Sequence, residues 1–284
     1  MSTAIFEESW GLASTFFPLV WNVIIIQATE FEKWRIKVKL VGDFYAYLWP
    51  GVTMQEMMRY GNNCNSYLVS NALPKGKHVL VDPGQVVNET RQKCLDRLIS
   101  EMTKDGLEIK DVGLIINTHA HPDHYGASEE IRKMSGAQVA IGKEENEFLQ
   151  LASGEMSQAL KSMGFDMPEI HPDLYLSEGE LRLGKDLVAQ IILIPGHSDG
   201  HIGIYWPSEK VFMGGDLVFN QGTGRVDIPG GSAEALKASI ERIAKLDIEY
   251  LLTGHQYGSP GIIKGKEQIK RNFEIIRREI FSYL

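Results

Sequence analysis

The chain has 284 residues, 43% hydrophobic and 23% charged, with a formal net charge of −8. Such a length buries a sizeable core without disulfides or a structural metal, so any metal is expected to serve chemistry rather than folding. The acidic balance argues against a nucleic-acid partner, because phosphate binding draws on clustered Lys and Arg.

Cys64 and Cys94 belong to no CxxC pair, which suits free thiols in a reducing, cytoplasmic compartment. Residues 1–30 read as an apolar, aromatic N-terminal extension, followed by one domain over 31–284. The run from Phe16 to Ile26 is broken by Pro18 and Asn22 and has no Lys or Arg before it. It is too short to span a bilayer, so neither a transmembrane segment nor a signal peptide is expected. A buried strand or docking segment is the plainer reading, and a membrane-surface contact or a subunit contact in a homo-oligomer the sharper one.

From Trp34 onward Ile36, Val38 and Leu40 alternate with Lys37 and Lys39, the period of a half-buried strand. Further strands are expected over 44–48, 66–69 and 79–81, the last closed by the turn Asp82-Pro83-Gly84. Asn88 is expected to cap a helix whose apolar stripe is Leu95, Leu98, Ile99 and Met102, ended by Gly106. The continuous apolar run over 112–117 predicts a fully buried strand leading into Thr118-His119. A helix over 127–134, a strand over 139–141 and a helix from about Glu144 follow. Residues 152–175 read as an irregular or helical insertion that could line a substrate entrance. Strands return over 181–183, 187–193, 202–206 and 211–213. A helix over 233–246, a strand over 250–252 and a helical stretch over 262–281 complete the chain. Two runs of strands, each followed by helices, imply helices layered outside packed sheets.

The strongest chemical signal is Thr118-His119-Ala120-His121-Pro122-Asp123-His124, directly after the buried strand. Imidazole and carboxylate suit zinc and similar divalent ions. Consecutive loop residues fan apart, so His119 and His121 could face one ion while Asp123 and His124 face another. Three later strand ends carry His197 in Pro195-Gly196-His197, Asp216 after Gly214-Gly215, and His255 after Thr253-Gly254.

The motifs THAHPDH, PGHSDGH, GGD and TGH, in this order, resemble the metallo-β-lactamase superfamily over about Val38 to His255. The resemblance implies an α/β four-layer αββα sandwich. It places one metal on His119, His121 and His197 and a second on Asp123, His124 and His255, with Asp216 bridging. Zinc is the expected metal, iron and manganese the alternatives. Asp216 sets the chain apart from class B β-lactamases, and His121 from flavo-diiron proteins. The segment from Gly224 to Gly231 (GRVDIPGG) resembles a loop of glyoxalase II-like hydrolases and persulfide dioxygenases, although Arg225 could equally serve a structural ion pair. Unlike glyoxalase II, the chain is not expected to carry the long basic carboxy-terminal domain that grips glutathione.

The resemblance thus implies a binuclear hydrolase of a small-molecule ester, thioester or lactone, working through an activated water between two ions. Asp123 is the candidate for orienting that nucleophile or passing on its proton. His201 is either a partner of a ligand or packing beneath the site. His78 and His171 are expected on the surface, and Tyr125 and Tyr257 flank the metal motifs. The competing readings are a mononuclear iron persulfide dioxygenase, with one ion on His119 or His121, His197 and Asp216, and a scaffold without activity.

Overall fold

The computed structural model describes residues 37–145, 149, 168–184 and 187–284. The N-terminal extension and most of the 152–175 insertion lie outside these residues. Val38–Leu284 forms one compact unit.

Strand formation follows the β-branched and aromatic runs. β1 (Lys37–Lys39), β2 (Phe44–Tyr47), β3 (Ser66–Val69), β4 (His78–Val81), β5 (Val112–Asn117), β6 (Gln138–Gly142) and β7 (Leu174–Leu176) make one sheet in chain order. β2, β3 and β4 are antiparallel, whereas β4 to β7 run parallel. Parallel neighbours need crossovers, and these carry helices α2 (Cys94–Lys104), α3 (Pro122–Tyr125) and α4 (Ser128–Ser135). A short helix α1 (Met54–Tyr60) lies between β2 and β3.

The second sheet has the order β15-β14-β11-β10-β9-β8. Its strands are β8 (Gly179–Arg182), β9 (Val188–Leu193), β10 (Ile202–Trp206), β11 (Val211–Met213), β14 (Tyr250–Leu252) and β15 (Ile262–Lys264). A small hairpin, β12 (Val218–Phe219) with β13 (Gly222–Thr223), and helices α5 (Ala233–Ile243) and α6 (Lys266–Ile275) complete the elements.

Three apolar clusters cement four layers. Val81, Ile116, Ile204, Trp206 and Met213 pack between the two sheets, with the Phe44 ring edge-on to Trp206 at 5.2 Å. Leu95, Leu98, Met102 and Ile131 cover the outer face of the first sheet at Leu80 and Ile115. Leu236, Ile240, Phe273 and Ile276 cover the second at Phe212 and Leu251. Successive residues of a strand point to opposite faces. Ile115 therefore meets helices while Ile116 meets the other sheet, which is why β5 carries no polar face. This is the expected αββα sandwich.

Several local readings are corrected. α1 was not anticipated, although the Thr53-x-x-Glu56 spacing marks it: the Glu56 N–H donates to Thr53 Oγ1 at 3.3 Å and the Thr53 N–H to Glu56 Oε2 at 3.0 Å, a capping box. Asn88 does not cap α2, which starts at Cys94. Its Oδ1 instead accepts from the Gln92 N–H at 3.0 Å and its Nδ2 donates to the Tyr60 carbonyl at 2.6 Å, holding the loop. Within the insertion, Leu174–Leu176 is an edge strand. Ile262–Lys264 is a strand on β14 rather than the start of a helix, because Ile263 is needed by the core beside Leu251. His78 is buried in β4, its Nδ1 accepting the Asn71 N–H at 3.2 Å, since the Lys-rich loop ends one residue before it. His171 is exposed as expected. Both cysteines are free and buried. No helix among the described residues is long and apolar enough to cross a membrane.

The topology gathers the motifs. β4 and β5 are parallel, as are β11 and β14. β9 is antiparallel to β10 and β10 to β11, so β9 runs with β11. The loops after all five strands leave at carboxyl ends and carry Asp82, His119 to His124, His197, Asp216 and His255 in turn. The two sets meet where the Ile202 N–H donates to the Thr118 carbonyl at 2.9 Å.

Ile204 is fully buried between the sheets whereas Met134 is 44% exposed. Ile204→Ala is expected to cost about 2–5 kcal/mol in chemical denaturation, and Met134→Ala less than about 0.5 kcal/mol. Equal losses would contradict the placement of the central core.

Candidate metal centre

The seven motif residues converge. The donor atoms of His119, His121 and His197 lie within 4.8 Å of one another. The same limit holds within the group Asp123, His124 and His255, and within the group His119, His124 and Asp216. Asp216 stands between the groups: its Oδ1 is 3.2 Å from His124 Nε2, and its Oδ2 is 3.4 Å from His255 Nε2 and 3.6 Å from His197 Nε2. The approach is so close at this point that a Cβ on Gly254 would lie 2.0 Å from Asp216 Oδ1. Only glycine fits before His255.

Hydrogen bonds at one ring nitrogen set the tautomer at the other. Asp82 accepts the Thr118 N–H and hydroxyl, each at 2.7 Å, and sits 2.9 Å from His124 Nδ1. His124 Nδ1–H therefore donates to Asp82, and its Nε2 turns to Asp216. Because the Thr118 hydroxyl donates to Asp82, His119 Nδ1–H donates to Thr118 Oγ1 at 3.0 Å, leaving a lone pair on His119 Nε2. His197 Nδ1–H donates to the Arg225 carbonyl at 2.8 Å, which leaves its Nε2 facing His121 Nδ1 at 2.9 Å. His255 Nε2 lies 3.3 Å from His124 Nε2 and 3.2 Å from Asp123 Oδ2.

His119 Nε2 is buried and has no hydrogen-bond partner among the described residues. A buried acceptor left unsatisfied costs about 1–3 kcal/mol. A divalent ion would satisfy it, and a pocket of imidazole nitrogens and carboxylates whose outer atoms are already tied down is the chemistry of such a site. The donor set fits the ions.

Electrostatics divide the pocket. Burial, with the charge of His124 and His121, holds the His119 imidazole well below its usual range. Burial and His197 lower His121 to about 4, and burial also lowers His197. These three present lone pairs at neutral pH. Burial opposes protonation of His124 and His255 too, but the carboxylates outweigh it. Asp216 and Asp82 raise His124, and Asp216 and Asp123 raise His255 to about 9.

Sequence reasoning overlooked Asp82, whose Asp-Pro-Gly turn ends a strand as the ligand motifs do. Its φ of +51° is left-handed, a region that Asp tolerates better than most side chains. It also overlooked Asn62, whose Nδ2 donates to Asp123 Oδ2 at 2.7 Å. His201 is fully buried, its ring 4.8 Å from that of His119, with no hydrogen bond on either nitrogen among the described residues. It packs beneath the site. Tyr125 is buried and donates to the Pro168 carbonyl at 2.9 Å. Arg225 forms a two-pronged pair with Asp227 at 2.8 and 2.9 Å.

Among the described residues, two cavities open on the centre. One of about 330 Å³ is lined by His197, Asp216, Phe219, Thr223, Arg225 and Tyr257. The other, of about 320 Å³, is lined by Trp49, Met57, Asn62, Glu89, His255 and Tyr257. Tyr257 belongs to both, stacked on His255 at 4.7 Å and 11° and edge-on to Phe219 at 5.1 Å.

The metallo-beta-lactamase superfamily model matches residues 59–255, which include all seven converging side chains. The chain belongs to that superfamily. Among its relatives, "Probable metallo-hydrolase MJ0888" of Methanocaldococcus jannaschii is 34% identical over 200 residues, 69% of this chain and 89% of that protein. "Hydroxyacylglutathione hydrolase GloC" of Haemophilus influenzae is 32% identical over 165 residues, 57% and 70% of the two chains. The crystal structure of TTHA1623 in a di-iron-bound form is 27% identical, with a TM-score of 0.56 over 81% of this chain and 98% of that one. Members of this superfamily are metal-dependent hydrolases, and the fold implies divalent ions.

Protons on His124 and His255 must leave before an ion can bind. Affinity for zinc is therefore expected to rise between about pH 6 and 8, by about tenfold per pH unit for each proton displaced. Calorimetric titration in buffers of different ionisation heat counts those protons, and a count of zero would contradict the arrangement. Asp82→Ala, by freeing the His124 ring, is expected to weaken metal binding about 10–100-fold, measured in the same titration.

Proposed function

We propose that this protein is a hydrolase of ester, thioester or lactone bonds in small molecules, working with two divalent ions, zinc in the first instance. The observation that carries this reading is the meeting of His119, His121, His197, Asp123, His124, His255 and Asp216 around a buried lone pair on His119 Nε2. His119, His121 and His197 would hold one ion and Asp123, His124 and His255 the other, with Asp216 reaching both. The chemistry supplied by two such ions is an activated water at neutral pH and a polarised carbonyl oxygen.

The chain's own groups do the rest. Asp123 is 16% exposed against 9% for Asp216, so it is the carboxylate more open to an incoming water. Burial raises its carboxyl, but the hydrogen bond to His255 and the charge of His124 outweigh that and hold it well below the usual range. It stays ionised and can accept a hydrogen bond from the water, orienting a lone pair towards the substrate. Asn62, on the wall of one cavity, holds the same carboxylate by its Nδ2 donor at 2.7 Å. Phe219 and Tyr257 stand as a wall on which the substrate's acyl or leaving group can lie. Thioesters are favoured within the class by the hydroxyacylglutathione hydrolase among the relatives. Free thiols at Cys64 and Cys94 support a cytoplasmic setting.

A panel of thioesters, lactones, esters and phosphodiesters, assayed with metal analysis of the same preparation, tests the reading. Turnover is expected on a carboxylic substrate with about two ions per chain, abolished by chelation and restored by zinc. One iron with oxygen uptake would replace it with an oxidative chemistry. His121→Ala is expected to lose turnover by a factor on the order of 10³ or more, with circular dichroism unchanged. Full turnover in that variant would remove the assigned site.

A further inference from the structure

Glu145, just after β6, is fully buried. Among the described residues no Lys or Arg pairs with it; its partners are instead two loops. Oε2 accepts the Ala120 N–H at 2.8 Å, and Oε1 accepts the Ser198 hydroxyl. Ala120 lies between His119 and His121, and Ser198 follows His197. One carboxylate thus ties the backbone that presents two ligands to the side chain beside the third, although these loops leave different sheets.

Backbone packing puts it there. A Cβ on Gly200 would lie 2.1 Å from the Glu145 backbone nitrogen, and one on Gly142 would lie 2.4 Å from the Gly200 carbonyl oxygen. The end of β6 and the loop after His197 therefore touch main chain to main chain, with no room for side chains between them. An isolated carboxylate is costly to bury, and an apolar side chain would fill the same space more cheaply if filling were all the position required. Asp82 offers the parallel case. It is buried, holds Thr118 and His124, and so steadies a ligand of the other group directly and, through Thr118, His119.

Resting on the two-ion reading above, we propose that Glu145 is a positioning residue that clasps the loops bearing His119, His121 and His197 and thereby sets the affinity of that ion site and not of the other. The second site is oriented from elsewhere, by Asp82 on His124 and by Asn62 on Asp123. Loss of the clasp leaves those contacts in place.

The test is titration of the metal-free full chain with zinc against a chromophoric chelator, which resolves two successive affinities, together with thermal melting of the metal-free protein. Glu145→Ala is expected to weaken one affinity about 10–100-fold, the usual effect of removing a group that orients ligands, and to leave the other near the wild-type value. Ser198→Ala, a milder change that keeps the Ala120 contact, weakens the same affinity by less and carries the test if Glu145→Ala does not fold. Glu145→Gln restores both values, because its amide oxygen still accepts from Ala120 and its NH₂ can donate to Ser198 Oγ. Unchanged affinities in both the Glu145→Ala and the Ser198→Ala variants overturn the inference. So does a joint fall of both affinities with the melting temperature that the glutamine variant fails to rescue. A wild-type chain that takes up no zinc removes the two-ion reading itself, and this inference with it, so the two failures are told apart by the wild type.

Discussion

The constraint on which everything else depends is the crowding of five imidazoles and two carboxylates at one point, five of the seven buried, where ring nitrogens meet ring nitrogens. Ring nitrogens face one another at 2.9 Å between His121 and His197 and at 3.3 Å between His124 and His255. Burial depresses His119, His121 and His197, and the carboxylates can protonate only the histidines they touch. A pocket built this way is held together from outside. Two strand ends of the first sheet and three of the second aim at it, and the apolar layer between the sheets keeps those ends in register. The rigidity of the sandwich is what lets these crowded groups stay close enough to share a cation.

Around the pocket runs a ring of hydrogen bonds that no ligand motif advertises. Asp82 orders His124 directly and, through Thr118, His119. The Arg225 carbonyl orders His197, so the GRVDIPGG loop contributes a backbone atom rather than its guanidinium, which is occupied by Asp227. Each of these contacts fixes which nitrogen keeps its lone pair. A histidine able to turn by half a rotation would offer the wrong atom.

Legibility in the sequence followed the same division. Strands buried on both faces were readable because Val112–Asn117 and Val211–Met213 are unbroken apolar runs, and the ligands were readable because they cluster at the ends of such runs. α1 was missed since its seven residues carry no long apolar stripe, only a capping box. Ile262–Lys264 passed for helix because three apolar-weighted residues fit either period until the partner strand is known. Asp82 and Glu145 act across 36 and 53 positions, on Thr118 and Ser198 respectively, and local pattern carries no trace of such pairings. His78 misled for a simpler reason: the loop before it is Lys-rich and polar, whereas His78 itself is the first residue of the buried strand β4.

Tolerance to change is graded outward from this centre, and the grading says where substrate choice resides. Gly254 admits no side chain because Asp216 occupies the space, and Thr118 and Asp82 are committed to each other. Tyr257, two positions past a ligand, is 42% exposed and leans on His255 and Phe219 without anchoring any strand. Met57 on one side and Thr223 and Arg225 on the other complete walls that belong to neither of the two main sheets. Such residues can be exchanged at small cost in folding energy, since loops at the rim contribute little to the buried core. A centre whose ligands are locked by the fold, and whose walls are not, can keep one hydrolytic chemistry while its substrate changes. The same physics that made the ligands readable therefore makes the substrate depend on the few side chains that the fold leaves free.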